Sequence, residues 1–309
     1  MEKQTEKSKF NTRRLTAILL LAAIFSLMAI SPSYIRAWLG RDSYTEWMQI
    51  EKEPHVLIIN VWHIVGFKPY IGSLGGWLSK RADEFKKQYV GIYFKVASLS
   101  PEQAMQQYER GMTPDIISFS PDACSVDALL PLAESFEHDG YCTDSGKYSD
   151  KLYALPYCAS GELLLCDTAA TAGMSREEIV SLCGSANDFK RGKTPACICD
   201  IRTAGDIYRA GLVGDAPYFE AESYAVPSDG GSASKLVQYV GINRDIDENK
   251  LPYAMEFLKY ITSDKVQSGL GDIGLMPICT EAEPVYEQDW IRALNAVFDP
   301  YSIGGCFGQ

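Results

Sequence analysis

Histidine is scarce in this chain of 309 residues: there are three, His55, His63 and His138. Nine cysteines are present, but no two form a Cys-x-x-Cys pair. A four-ligand zinc site of ordinary spacing is thereby excluded, and no metal is expected. Gly-x-Ser-x-Gly, His-Glu-x-x-His, the phosphate-binding loop and Gly-x-Gly-x-x-Gly are all missing. With them go the signatures of serine hydrolases, zinc proteases, nucleotide hydrolases and dinucleotide enzymes. The expectation is a protein that is not an enzyme and holds no cofactor. Basic residues are in deficit, 29 Lys and Arg against 40 Asp and Glu, for a net charge of −11. Residues 1–14 carry +3, which leaves −14 on the rest. A body this acidic excludes a nucleic-acid partner, which needs clustered cations to displace counterions. Repeats and low-complexity tracts are also lacking. A content of 46% hydrophobic and 22% charged residues excludes a disordered chain, a collagen-like fibre and a coiled coil. The length suggests about two domains.

Long apolar runs are missing too, with one exception. Arg14 and Arg36 bracket 21 uncharged residues whose apolar heart is Leu15–Ile30. Residues 1–14 form a basic cytoplasmic tail, 15–35 the apolar segment and 36–54 a charged linker. The segment suits a cleaved signal peptide, although Pro32 follows Ala29-Ile30-Ser31 and spoils the cleavage site. It also suits a single membrane span, since about 20 residues cross the hydrocarbon core, with Tyr34 and Trp38 as interfacial aromatics. An uncleaved anchor with everything beyond residue 36 outside the cell is the expected reading, and secretion after cleavage the alternative. No cysteine near the segment's end offers a site for lipid.

The nine cysteines are an odd number, so at least one is unpaired. Cys197 and Cys199 stand two apart in a strand-like run, on one face. Most of the nine are read as buried apolar side chains, with disulfides the alternative in an oxidising compartment. A Cys158–His63 thiolate–imidazole pair is conceivable, but nine cysteines and three histidines make such a pairing cheap by chance.

From His55 the pattern is regular. His55–Trp62 is a β-branched apolar run of the kind buried on both faces. A glycine-rich loop over 66–76 leads to a helix over 76–89, which Gly91 ends. Strand Ile92–Ala97, a helix opened by Pro101 and strand Asp115–Phe119 follow. This β-α-β-α-β order predicts a parallel sheet with right-handed crossovers. Leu152–Asp167 reads as two extended pieces around Ser160-Gly161. Ser175 and Glu178 form a capping box before a short helix. Further on come strand Ala196–Asp200, helix Thr203–Ala210, a turn-rich stretch Tyr224–Ser234 and strand Leu236–Ile242. Helices are expected from Asn249 to Ile261, over Asp264–Leu270 and over Glu287–Val297.

Ligands of open parallel sheets bind beyond the carboxyl ends of the strands. Those ends carry Trp62 and His63 after the first strand and Phe119, Ser120 and Asp122 after the third, with Tyr157 and Ser160 in the later extended segment. Aromatic faces among a few polar groups suit a sugar. The alternative is that Trp62 and Phe119 only cap the core. Gly72–Gly76 could present backbone N–H groups at a helix start, or simply be a flexible loop.

Four passages, in order, carry a family resemblance. They are Ile58–Trp62 with the helix containing Ala82-Asp-Glu-Phe85; Gly111-Met-Thr-Pro-Asp115-Ile-Ile-Ser-Phe119; Tyr153-Ala-Leu-Pro156-Tyr157 with Glu162-Leu-Leu-Leu; and Phe257–Gln267 with Gly274-Leu-Met-Pro277. The chain resembles the extracellular solute-binding proteins of ATP-driven (ABC) importers, in the carbohydrate-binding, maltodextrin-like branch. The resemblance implies an α/β, two-lobed periplasmic-binding-protein-like fold of type II that closes on its ligand like a hinge. Lobe one would comprise residues 50–157 plus 241–275, and lobe two residues 158–240 plus 276–309. Crossings would fall near Tyr157–Ser160, Val240–Ile242 and Leu275–Pro277. Carried over by position, ligand contacts fall on Trp62, His63, Phe119, Ser120, Tyr157 and Ser160. A further contact falls on Arg202, which could equally be a surface ion pair. An acidic sugar-binding residue of some members aligns with Ser160, with Glu162 two places on. Lobe two is short between Asp167 and Ala196, and the lipid-anchoring cysteine of many members is missing. The implied partners are a sugar or oligosaccharide and membrane permease subunits, the chain itself being a monomer. The competing function is a membrane-anchored sensory or partner-binding module on the same fold.

Overall fold

The computed structural model describes residues 56–132, 136, 141–227 and 235–307. The basic tail, the apolar segment 15–35 and the linker to residue 54 lie outside the described residues, as does most of the turn-rich stretch before Leu236. No described helix is long and apolar enough to cross a membrane.

Strand β1, Leu57–Ile64, is the β-branched run shifted two residues later than its composition suggests. Helix α1, Leu74–Phe85, starts where Ser73 accepts a hydrogen bond from the Gly76 N–H. It buries Leu74, Trp77, Leu78, Ala82 and Phe85 along one face. The helix ends earlier than expected, tightening into a 3-10 turn over Lys86–Gln88. Strand β2 is Ile92–Leu99. Helix α2, Pro101–Glu109, has the capping box of Ser100 and Gln103 and a proline in its first turn. Strand β3 is Ile116–Phe119. A small hairpin of β4 (Lys147–Tyr148) and β5 (Lys151–Leu152) precedes β6, Ala154–Ala159, and β7, Glu162–Asp167. The short segment after Asp167 holds helix α3 (Arg176–Ser181), strand β8 (Cys183–Gly184) and helix α4 (Ala186–Lys190). Then come β9 (Ala196–Asp200), α5 (Ile201–Leu212), β10 (Phe219–Ala225) and β11 (Val237–Ile242). Helices α6 (Leu251–Thr262) and α7 (Asp264–Ser268), strand β12 (Met276–Pro277) and helix α8 (Asp289–Val297) complete the order.

Two sheets result. The larger has six strands in the order β12-β6-β11-β3-β1-β2, and the smaller has four in the order β10-β7-β9-β8. β1 lies parallel to both β2 and β3, as the opening pattern predicts. β11, however, enters between β3 and β6 and runs antiparallel to both, so the sheet is mixed rather than parallel. The chain leaves the large sheet after Ala159 and joins the small one at Glu162. It returns between Ala225 and Val237, earlier than the crossing expected at Val240–Ile242, because β11 belongs to the large sheet over its whole length.

The core is built on the large sheet. Ile59, Ile116, Ile117, Phe119 and Tyr239 are sealed there, and Phe257, Leu258 and Ile261 of α6 belong to the same core. Each such side chain contributes about 1.5–3 kcal/mol by leaving water. All nine cysteines are free thiols, seven of them buried, as small apolar side chains would be.

Candidate functional site

Successive residues of a strand face opposite sides of a sheet. At the carboxyl end of β1 this separates Trp62 from His63. His63 lies beside Ser118 of β3, its Nδ1 3.0 Å from the Ser118 Oγ. Ser118 Oγ is 2.8 Å from the Tyr157 hydroxyl of β6 and accepts a hydrogen bond from Gln238 Nε2 of β11 at 3.1 Å. Gln238 Nε2 also donates to the Ile64 carbonyl at 2.9 Å. One side chain from each of four neighbouring strands thus forms a polar row across an apolar sheet, and all four are buried.

Requiring every buried hydroxyl proton to be donated assigns the tautomer. The Tyr157 hydroxyl has no other partner among the described residues, so it donates to Ser118. Ser118 accepts from Tyr157 and Gln238 and gives its own proton to His63 Nδ1. The proton on His63 then sits on Nε2. Burial pushes the imidazole down to about 4, so it is neutral at physiological pH. Burial likewise holds the Tyr157 hydroxyl well above its ordinary range. Stability should therefore depend on acid. The unfolded histidine takes up a proton near 6.5 and the folded one near 4. Stability is complete above about pH 6.5 and declines as the pH falls toward 4, by about 3 kcal/mol at most. Urea unfolding at pH 7.0 and 4.5 should show the loss in the native chain and a smaller loss in His63→Gln.

His63 also lines a cavity of about 500 Å3, together with Val65, Phe67, Lys68, the start of α1 at Ser73–Gly75, and Ser98. Arg202 and Asp206 of α5 close it from the side of the small sheet. Glycine is required at 75, because a Cβ there would lie 1.9 Å from the Ser98 Oγ. The loop after β1 reaches across to α5. The Arg202 guanidinium donates through Nη2 to the Gly72 carbonyl. The Tyr70 ring lies against Gly205, where a Cβ would stand 2.3 Å from it. Tyr70 also meets Trp290 edge-on at 5.4 Å and lies 5.4 Å beneath the Arg209 guanidinium.

Of the seven residues expected at the site, His63 and Arg202 line this cavity. Tyr157 stands behind it, bonded into the polar row. Ser120 packs against the loop at Gly66, where a Cβ would lie 2.6 Å from its own. Ser160 is buried at the change of sheet, its N–H bonded to the Leu236 carbonyl at 2.8 Å. Phe119 is core, stacked on Tyr239 at 6.1 Å. Trp62 faces the other way, against Tyr108 at 5.1 Å, and lines a separate pocket of about 420 Å3 with Asn60, Lys95 and Gln107. A Cys158–His63 pair does not form, since His63 Nδ1 is given to Ser118 and burial drives the Cys158 thiol well up. Sequence reading missed Ser118, Gln238 and Lys68. The first two were visible as lone polar residues inside apolar strands.

No family model matches the sequence, and no curated protein matches it. Solved structures do match. The GacH receptor of Streptomyces glaucescens GLA.O, solved unliganded and with acarbose, is 14% identical with a TM-score of 0.55, over 80% of this chain and 88% of that one. The maltose/maltodextrin-binding domain MalE from Bdellovibrio bacteriovorus, bound to maltotriose, is 16% identical with a TM-score of 0.54, over 81% and 88%. The maltodextrin-binding protein MalE1 from L. casei BL23, without ligand, is 11% identical with a TM-score of 0.53, over 80% and 83%. The likeness is one of fold: the chain has the α/β, two-lobed architecture of the periplasmic sugar-binding proteins.

Proposed function

We propose that this chain binds a carbohydrate between its two lobes, as the extracytoplasmic solute-binding subunit of an ATP-driven importer. The observation that carries this reading is the cavity lined by His63 and the loop to Gly75 from one lobe and by Arg202 and Asp206 from the other. A ligand there touches both lobes, so its binding energy favours the closed form over the open one. Phe67 and Leu74 offer apolar surface, and His63, Ser98 and Asp206 offer hydrogen-bonding groups, the mixture a sugar needs. The fold's likeness to sugar receptors supports the same ligand class. Binding alone is the work, and a permease receives the solute. In this reading residues 15–35 hold a monomer at the outer face of the cell membrane, and lobe two is a reduced version of its counterparts.

A second reading has an observation of its own. The Arg202–Gly72 bond and the Tyr70–Gly205 contact already tie the lobes together through the protein's own groups. A module locked in this way would serve as a sensory or partner-binding element. Thermal melting of the full chain with a panel of mono- and oligosaccharides separates the two. A sugar at 100 times its dissociation constant stabilises the native state by about 2.7 kcal/mol, a shift of several degrees. A cooperative melt that no sugar moves would discard the importer reading and favour the locked module.

A further inference from the structure

The geometry points to an acidic ligand: we infer that the carbohydrate carries a carboxylate or phosphate, seated where α1 begins. This rests on the interlobe cavity being the binding site. Amid the apolar lining of Val65, Phe67, Pro69 and Leu74, the cavity gathers hydrogen-bond donors at the start of α1. α1 is twelve residues long, and its capping Ser73 takes only the Gly76 N–H, leaving the first N–H groups, on Leu74 and Gly75, without a partner among the described residues. Unpaired N–H groups and the helix dipole make such an end favourable to an anion. A second feature is independent of the helix. His63 is 2% exposed, and its Nδ1 is fixed by Ser118. The opposite ring edge turns to the helix start, with Cδ2 3.3 Å from where a Cβ on Gly75 would stand. The Nε2–H on that edge finds no partner among the described residues, so it too is a donor awaiting an acceptor.

Charge agrees. Lys68 and Arg202 line the cavity, and neither enters an ion pair among the described residues. The one carboxylate present, Asp206, is held by Arg209 at 2.7 Å. Arg202 is tied to the Gly72 carbonyl, but its charge and that of Lys68 meet no paired carboxylate there, which stands out in a chain of net charge −11.

The test measures affinity of the full chain for galacturonate and glucose 6-phosphate, for the neutral partners galactose and glucose, and for inorganic phosphate. The acidic sugars should bind at least tenfold tighter than the neutral ones. Lys68→Gln, at an exposed position, should erase most of that difference without changing the melting temperature of the free protein. Neutral sugars binding as tightly as acidic ones would overturn the acidic ligand while leaving the carbohydrate reading intact. Acidic sugars unaffected by Lys68→Gln would also overturn it. Inorganic phosphate binding as tightly as glucose 6-phosphate would support the anion seat and overturn the carbohydrate reading. No binding by any of the five would overturn both.

Discussion

Asp115→Ala is expected to destabilise the folded chain by about 3 kcal/mol, the loss that follows when one partner of a buried ion pair is removed. Asp115 is 8% exposed and sits just before β3. Its carboxylate receives the Asn60 backbone N–H at 2.7 Å and the Lys250 ammonium at 3.0 and 3.1 Å. Its backbone N–H is bonded to the Asn60 carbonyl at 2.8 Å, and its carbonyl accepts from the Asn243 N–H at 2.9 Å. The side chain therefore pins β1 to the start of α6, while the same residue's backbone holds the start of β3 to β1 and to the end of β11. Truncation strands the Lys250 charge, whose side chain is 21% exposed, and leaves the Asn60 N–H without an acceptor. The residual solvent at Lys250 keeps the loss at the lower end of the range for buried pairs. Asp115→Asn should lose less, because its carbonyl still serves Asn60. Lys250→Met combined with Asp115→Asn should recover part of the remainder. The urea midpoint, at constant slope, measures each step. A midpoint that stays put in Asp115→Ala would show that the pair contributes nothing net.

Trp62→Ala should cost about 3–5 kcal/mol of stability, as large-to-small changes of an aromatic do in a packed interior, and leave ligand affinity alone. The sequence suggests the reverse, a ring at the cleft rim whose loss weakens binding and spares the fold. The pleat decides the matter. His63 and Trp62 are neighbours on one strand, so a cavity lined by the first lies on the far side of the sheet from the second. Trp62 is 8% exposed and packs edge-on against Tyr108 of α2, with an interplanar angle of 73°. Melting temperature and sugar affinity measured on the same preparation separate the two outcomes. A large loss of affinity with an unchanged melt would place the ring back in the cleft.

The first half of the large sheet was legible because its signals are local. Leu57–Ile64, Ile92–Leu99 and Ile116–Phe119 are apolar runs, and Ser100 with Pro101 marks a helix start unambiguously. β10 was not legible. Phe219–Ala225 contains two glutamates and lies half-buried at the edge of the small sheet, so it lacks the apolar content of a core strand. The candidate site was half legible. Of the strand ends singled out, β1 sends His63 to the cavity, whereas Phe119 and Ser120 at the end of β3 lie in the core and against the loop at Gly66. The polar row was not legible, because Gln238 meets Ser118 across 120 residues. That meeting depends on β11 entering antiparallel between β3 and β6, and no local pattern in Val237–Ile242 specifies its neighbours. Lys68 and Arg202 come together only through the reach of the loop after β1 to α5.

The placement of β11 also sets an order of events during synthesis. The four strands of the small sheet lie within Glu162–Ala225, whereas the large sheet draws strands from Leu57 to Pro277. Contacts between distant segments form slowly, because the intervening chain must first be closed into a loop. Until Val237–Ile242 emerges, β3 and β6 each present a bare edge, the kind of surface that recruits other chains. A nascent polypeptide that stops short of Val237 thus holds every strand of the small sheet, but of the large one only β1, β2 and β3 paired, with β6 still lacking both its neighbours.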